Sequence, residues 1–290
     1  MTVRQRIVAG TAATLSWQAV DQDGEPSDPG TTTVAVTGSD GSTILAAGTA
    51  TTVVGTTRTV AIPAQSVDEL TAVWTGATAT ETTTHDVVGG VYFTAAQLRA
   101  AQLGANQPGV SSTADYPTAT ILATRQDVET LFEQRTRTAF VPRFAVLTTT
   151  RQAEVVQTGI RSVRWVELLD GTMITNATTI ATYVDIRQGG LRCLGNVDRV
   201  GVVIGFDRPP ADVQRVAMLY ARHLLTMGQT GIDLRAQYAA VGPDGLGITV
   251  PGKPWYVTGI DEVDKVLRSY RHRTGPRSVR VGLPESGAWL

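Results

Sequence analysis

Three histidines and one cysteine are the side chains from which this 290-residue chain could build a metal or nucleophilic centre. A structural or catalytic metal needs several His, Cys or carboxylate ligands at set spacings, and His85, His223 and His272 have no such partners: no H-E-x-x-H and no Cys–His cluster occurs. His223 stands beside Leu224 in an apolar helical run and reads as a structural or rim histidine. Cys193, inside "LRCLG", reads as a buried inert thiol; a single cysteine cannot close an internal disulfide. No G-x-S-x-G elbow is present for serine hydrolysis. The stretch "DQDGEPSD" at 21–28 alternates acids like a calcium loop, but its twelfth position is Thr32 where a bidentate glutamate is required, so it reads as a turn. "GPDGLG" at 242–247 lacks the strand-then-helix order of a phosphate cradle. The expectation is a protein with no catalytic residue, no cofactor and no metal, and not an enzyme.

Two basic stretches are left. "RTRTAFVPR", 135–143, sets Arg135, Arg137 and Arg143 around an aromatic; it reads as a helix C-terminus whose dipole favours cations, or as a polyanion contact. The segment 271–290, "RHRTGPRSVRVGLPESGAWL", carries Arg271, Arg273, Arg277 and Arg280 against Glu285, then Trp289 and Leu290. It reads either as a disordered terminus or as a docking arm, since arginine and tryptophan are favoured interface anchors.

The elements that must position these residues fall into two halves. At 290 residues the chain suits two domains, and 42% apolar with 18% charged residues suits a folded protein. No run approaches 18 apolar residues, so no membrane span is expected, and no secretory leader is read near the first residues. Residues 1–90 carry a net charge of −6 and residues 91–290 a net of +5. Arginine outnumbers lysine 23 to 2, as a GC-rich genome produces.

Residues 1–90 read as all-β: "ATLSWQAV", "TTTVAV", "STILAA", "TTVVG", "TRTVAI", "LTAVWTG" and "ATETTTHDVVG" are Thr- and Val-rich runs separated by Asp-Gly and Pro-Gly turns. An immunoglobulin-like sandwich is expected, with Trp17 and Trp74 opposed in its core. From residue 91 the pattern becomes α+β. "FTAAQLRAAQ" is a short helix. Residues 118–138 place Ile121, Leu122, Val128, Leu131, Phe132 and Arg135 near one helical face, with Thr124 and Asp127 as an internal capping pair. A β insertion is expected at about 140–205 ("FAVLTTT", "AEVVQTG", "VRWVELL", "TMIT", "ATYVDIRQ", "GLRCLG", "VGVVIGF"). In "GFDRPPADVQRVAMLYARHLLTMG", 205–228, Asp207 caps a helix with proline in its first turn, and Val213, Val216, Ala217, Tyr220, Leu224 and Met227 form its buried stripe. Gly228 ends that helix. A last helix buries Ile260, Val263, Leu267 and Tyr270. The expected domains are 1–90, 91–270 and an arm at 271–290.

Three segments in order, "TRQDVETLFEQRTRTAFVPR", "GFDRPPADVQRVAMLYARHLL" and "VTGIDEVDKVLRSYRHR", with β structure between the first two, resemble the head-to-tail connector (adaptor) proteins of long-tailed phages. The resemblance covers about residues 91–275. It implies a small helical bundle, copies arranged as a dodecameric ring beneath the portal, and a lumen through which DNA passes without sequence-specific binding. The implied partners are further copies of the chain, the portal protein and a stopper or tail-completion protein; no membrane is involved. The implied location is the head–tail junction of the virion, after synthesis in the bacterial host cytoplasm. Val128, Leu131, Phe132, Val213, Val216, Tyr220, Leu224, Ile260, Val263, Leu267 and Tyr270 would be the bundle core. Arg271, Arg273, Arg277, Arg280, Trp289 and Leu290 would be the arm meeting the portal or a neighbouring subunit. Residues 1–90 depart from the minimal adaptor. An alternative function therefore starts from them: a surface-binding module whose sandwich takes host glycan or another capsid protein.

Overall fold

The computed structural model describes residues 5–20, 23–77, 79–101, 110–148, 159–187, 190–230 and 258–271, and within them the chain is mixed α+β. Packing divides it into two units, one holding residues 1–90 and 141–205, the other 91–140 and 206–275. This differs from the division read from the sequence. The β insertion belongs by packing with the first 90 residues, while the helices on either side of it form the second unit.

The first unit begins with β1 (Arg6–Val8), β2 (Ala13–Gln18), β3 (Thr33–Thr37), β4 (Thr43–Ala50), β5 (Thr52–Val54), β6 (Thr57–Ile62), β7 (Asp68–Thr75) and β8 (Thr80–Val88). One sheet has the order β1-β8-β7-β3-β4 and the other β2-β6-β5. Strict alternation of burial along β3 and β7 places Val34, Val36, Leu70, Ala72 and Trp74 in one core with Leu15 and Trp17 of β2 and Val60 and Ile62 of β6. Trp17 and Trp74 do oppose each other there, with ring centroids 5.9 Å apart. β1, which the sequence reading missed, is too short to show a period, and it pairs in parallel with β8.

The insertion adds β9 (Arg143–Thr148), β10 (Ile160–Leu168), β11 (Met173–Ile174), α3 (Ala177–Tyr183), β12 (Val184–Arg187), β13 (Gly190–Cys193) and β14 (Val197–Ile204). Its sheet has the order β11-β10-β14-β9, with β12 and β13 as a separate hairpin. "ATYV", expected as strand, is instead the end of α3 and the start of β12, because Asn176 accepts hydrogen bonds from the Thr178 and Thr179 N–H groups and starts a helical turn. "AEVVQTG" lies, but for its last residue, outside the described residues.

Three contacts seat the insertion on the first two sheets. Arg143 pairs with Asp86 at 2.6 Å, the carboxylate buried and the guanidinium half-buried. The Gly89 N–H donates to the Pro142 carbonyl at 2.8 Å, and a Cβ on Gly89 would lie 2.6 Å from the Pro142 ring. Trp165 Nε1 donates to Ser39 Oγ at 2.9 Å, and Ser39 Oγ donates to Asp68 Oδ1 at 2.5 Å. The indole reaches Ser39 across a flat strand: Trp165 stands opposite Gly201, where a Cβ would come within 2.4 Å of the ring. β8 is consequently buried without a break from His85 to Val88, with both faces covered.

The second unit comprises α1 (Ala95–Ala100), α2 (Thr118–Thr136), α4 (Ala211–Thr230) and α5 (Asp261–Tyr270). Here the helix boundaries differ from expectation. The capping box is Thr94 with Gln97 at α1, whereas Thr124 lies inside α2 and donates to the Thr120 carbonyl one turn back. α4 starts at Ala211, its first helical bond runs from Gln214 N–H to the Pro210 carbonyl, and Asp207 lies outside it. Helix continues through Gly228 to Thr230. Both prolines thus precede the helix, where their missing N–H groups cost no helical bond.

Candidate functional site

The helical unit is built on a mixed polar and aromatic core. Val128, Phe132, Val213, Val216, Val263 and Leu267 are buried as expected, while Leu131, Tyr220, Leu224, Ile260 and Tyr270 are only half-buried. Leu122 and Arg135, read as members of the same face, are exposed. Leu219, Ala221 and Leu225 are buried in their stead, so α4 is covered over a broader arc than a single stripe. Met227's side chain lies outside the described residues.

Glu129 and Glu133 share that buried face of α2 at 1% and 6% exposure. The Tyr92 N–H donates to Glu129 Oε1 at 2.8 Å and the Tyr92 hydroxyl donates to Glu133 Oε1 at 3.2 Å. Arg125 stands 3.7 Å from Glu129 and donates to the Phe93 carbonyl. Two acids one turn apart thus tie the chain before α1 to α2. On α5, buried Asp264 accepts from the Thr258 N–H and hydroxyl, both at 3.1 Å, fixing the approach to that helix. Sequence reasoning missed these acids; their signal was spacing, since 121, 125, 128, 129, 132, 133 and 136 share one helical face.

From this core an aromatic row runs to the surface. Phe132 stacks on Tyr220 at 6.2 Å and packs against Tyr92, and Tyr92 meets Phe140 edge-on at 5.8 Å. Phe140 in turn stacks on Phe206 at 6.1 Å and meets Tyr270 edge-on at 5.2 Å. Phe206 is 42% exposed. The Tyr270 hydroxyl donates to Asp212 Oδ1 at 3.0 Å; burial and that carboxylate hold its pKa above the usual tyrosine range. Arg271, the C-cap of α5, is exposed and follows directly on this cluster. Arg273, Arg277, Arg280, Trp289 and Leu290 lie outside the described residues.

The first unit presents a second surface at the far turn of β10. The 169–172 turn closes through the Gly171 N–H on the Leu168 carbonyl, with Gly171 at φ 84° and Asp170 Oδ1 accepting the Thr172 N–H at 2.9 Å. The Leu169 N–H donates to the Asn196 carbonyl, and the Leu194 N–H to the Tyr183 carbonyl. An open groove of about 450 Å³ results, lined by Leu168, Leu169, Asp170, Tyr183, Gly195 and Asn196. Leu169 and Leu194 are 50% and 51% exposed beside it.

The residues singled out for chemistry have ordinary surroundings. Asp28, in the acid-rich turn, pairs with the buried Arg58 guanidinium, which also donates to the Gly30 and Gly55 carbonyls. A fixed cation therefore already holds that turn. Burial holds the Cys193 thiol above its usual pKa, so it is protonated at neutral pH. His223 is half-buried, stacks on Tyr220 at 6.4 Å and has its pKa lowered by burial. Among the described residues no group of three or more His, Cys, Asp and Glu is placed to hold a metal, and no helix is long and apolar enough to cross a membrane.

No protein-family model matches the chain, and no curated protein matches it. Among solved structures it is similar to domains 5–6 of the S-layer protein SbsC, at 12% identity and a TM-score of 0.21, over 70% of this chain and 94% of that one. A score that low carries no structural argument.

Proposed function

We propose that the protein is a structural component of a phage neck: a ring of copies, dodecameric by the resemblance, that joins the portal to the stopper and tail and lets DNA pass through its lumen. In this reading it has no catalytic role, works at the head–tail junction, and binds its own copies, the portal and a tail-completion protein. Helices α1, α2, α4 and α5 are the connector bundle, and the two sheets of residues 1–90 are an immunoglobulin-like sandwich added to it.

The observation that carries the reading is the helical unit itself. α2, α4 and α5 coincide with the three segments that resemble connectors, and although 74 residues of chain separate α2 from α4, each of the three packs on the other two. A heterologous ring requires two unlike faces on each subunit. The exposed Phe206 beside Arg271 and the apolar turn bearing Leu169 and Leu194 are unlike surfaces of the kind such contacts use.

Deleting this gene from the phage that carries it and imaging the lysate tests the reading. The expected result is DNA-filled heads and free tails that fail to join. Intact virions with poor host attachment would overturn it and transfer the function to the sheets of residues 1–90.

A further inference from the structure

The groove at the β10–β11 turn is a concave, partly apolar surface whose rim is held by backbone hydrogen bonds on two sides. Tyr183 and Gly195 form one wall, the ring lying 3.4 Å from where a Cβ on Gly195 would stand. Leu168 and Leu169 form the other. Its volume of about 450 Å³ is in the range of ligand-binding clefts. The charged group in the lining is Asp170, fully exposed and held below the usual carboxylate range by the Thr172 N–H, hence ionised at neutral pH. An occupant should thus bring an aromatic or aliphatic anchor together with positive charge.

The chain contains such a segment. Residues 272–290 hold Arg273, Arg277 and Arg280 against the single acid Glu285, followed by Trp289 and Leu290. Nineteen residues reach about 60 Å when extended. We infer that the groove formed by Leu168, Leu169, Tyr183 and Gly195 receives Trp289 and Leu290 of a second copy of this chain, with arginines of the same segment facing Asp170. This inference rests on the ring reading, which supplies the second copy, and it gives the arm a subunit–subunit role. Trp289 supplies the buried anchor that dominates such contacts, and the arginines supply registration.

The test is made on the intact chain, with a benzophenone photocrosslinking residue in place of Leu169. Irradiation is expected to produce a dimer-sized adduct that maps to residues 281–290. In a Trp289→Ala background its yield should fall about tenfold, the loss of a moderate anchor. The same residue placed at Leu194 gives a second, independent probe if the first variant folds poorly. A monomer-sized adduct, an adduct on any other segment, or a yield indifferent to Trp289→Ala would overturn the inference. Virion assembly reports on the ring and the adduct on the groove, so either can fail while the other stands.

Discussion

His85 is 3% exposed on β8, its Nε2 lying 2.8 Å from Thr83 Oγ1, and the Trp74 indole N–H donates to that same hydroxyl at 2.9 Å. The Thr83 hydroxyl thus bonds to two buried rings at once, through Trp74 Nε1 and His85 Nε2. Burial lowers the His85 pKa from 6.5 to about 4, against the opposing pull of Asp86. A depressed histidine is a neutral histidine in the folded state, so its contribution is complete above pH 6.5 and is lost as the pH falls from there towards 4. The loss approaches about 1.4 kcal/mol per pH unit in that window. Replacing it, His85→Gln, should flatten the dependence. Urea midpoints for both proteins at pH 7 and pH 4.5 would show it, and an equal drop in the two would reject the assignment. None of this was legible in the sequence, where His85 is one polar residue in a threonine-rich strand. Its partner ring was: alternation alone put Trp74 in the core opposite Trp17.

At the scale of the element, α2 shows how a helix can hide its own amphipathicity. Its buried face carries Ile121, Val128 and Phe132, but also Glu129, Glu133 and Thr136. A reading by apolar period extends the stripe to Leu122, which is exposed, and passes over the acids. Burying a carboxylate is unfavourable unless donors meet it, and those donors, the Tyr92 N–H and hydroxyl, come from a loop 37 and 41 residues away in the chain. Glu129→Ala should therefore cost about 2–4 kcal/mol, since it removes a buried carboxylate that the Tyr92 N–H and Arg125 both use. Glu129→Gln keeps an oxygen for the Tyr92 N–H and should cost distinctly less. Chemical denaturation of the pair decides it: an alanine variant as stable as the parent would mean that Glu129 merely fills space.

For the first unit as a whole, the consequential feature is that residues 141–205 complete it. Gly201 leaves room for the Trp165 ring, Trp165 reaches Ser39, Ser39 reaches Asp68, and Arg143 reaches Asp86. If this chain of bonds couples the insertion to the first sheets, Trp165→Phe and Ser39→Ala should be non-additive, with an interaction energy of about 1 kcal/mol in a double-mutant cycle. Strict additivity would mean that the two sheet systems share a surface without sharing stability.

The sequence by itself determined the class of the molecule and the neighbourhood of most elements: strands in residues 1–90, helices around Val128, Val216 and Val263, and a β segment between the first two of those helices. These follow from periods of two and of 3.6 residues, which neighbouring side chains impose on one another within a few positions. Only the tertiary structure decided that the β insertion joins the first 90 residues, that β1 pairs in parallel with β8, that two glutamates lie in a core, and that Phe206 stands beside the root of the arm. Each of those depends on a partner remote in the chain, and local periodicity cannot name a remote partner, because burial, charge compensation and hydrogen bonding are settled where segments meet.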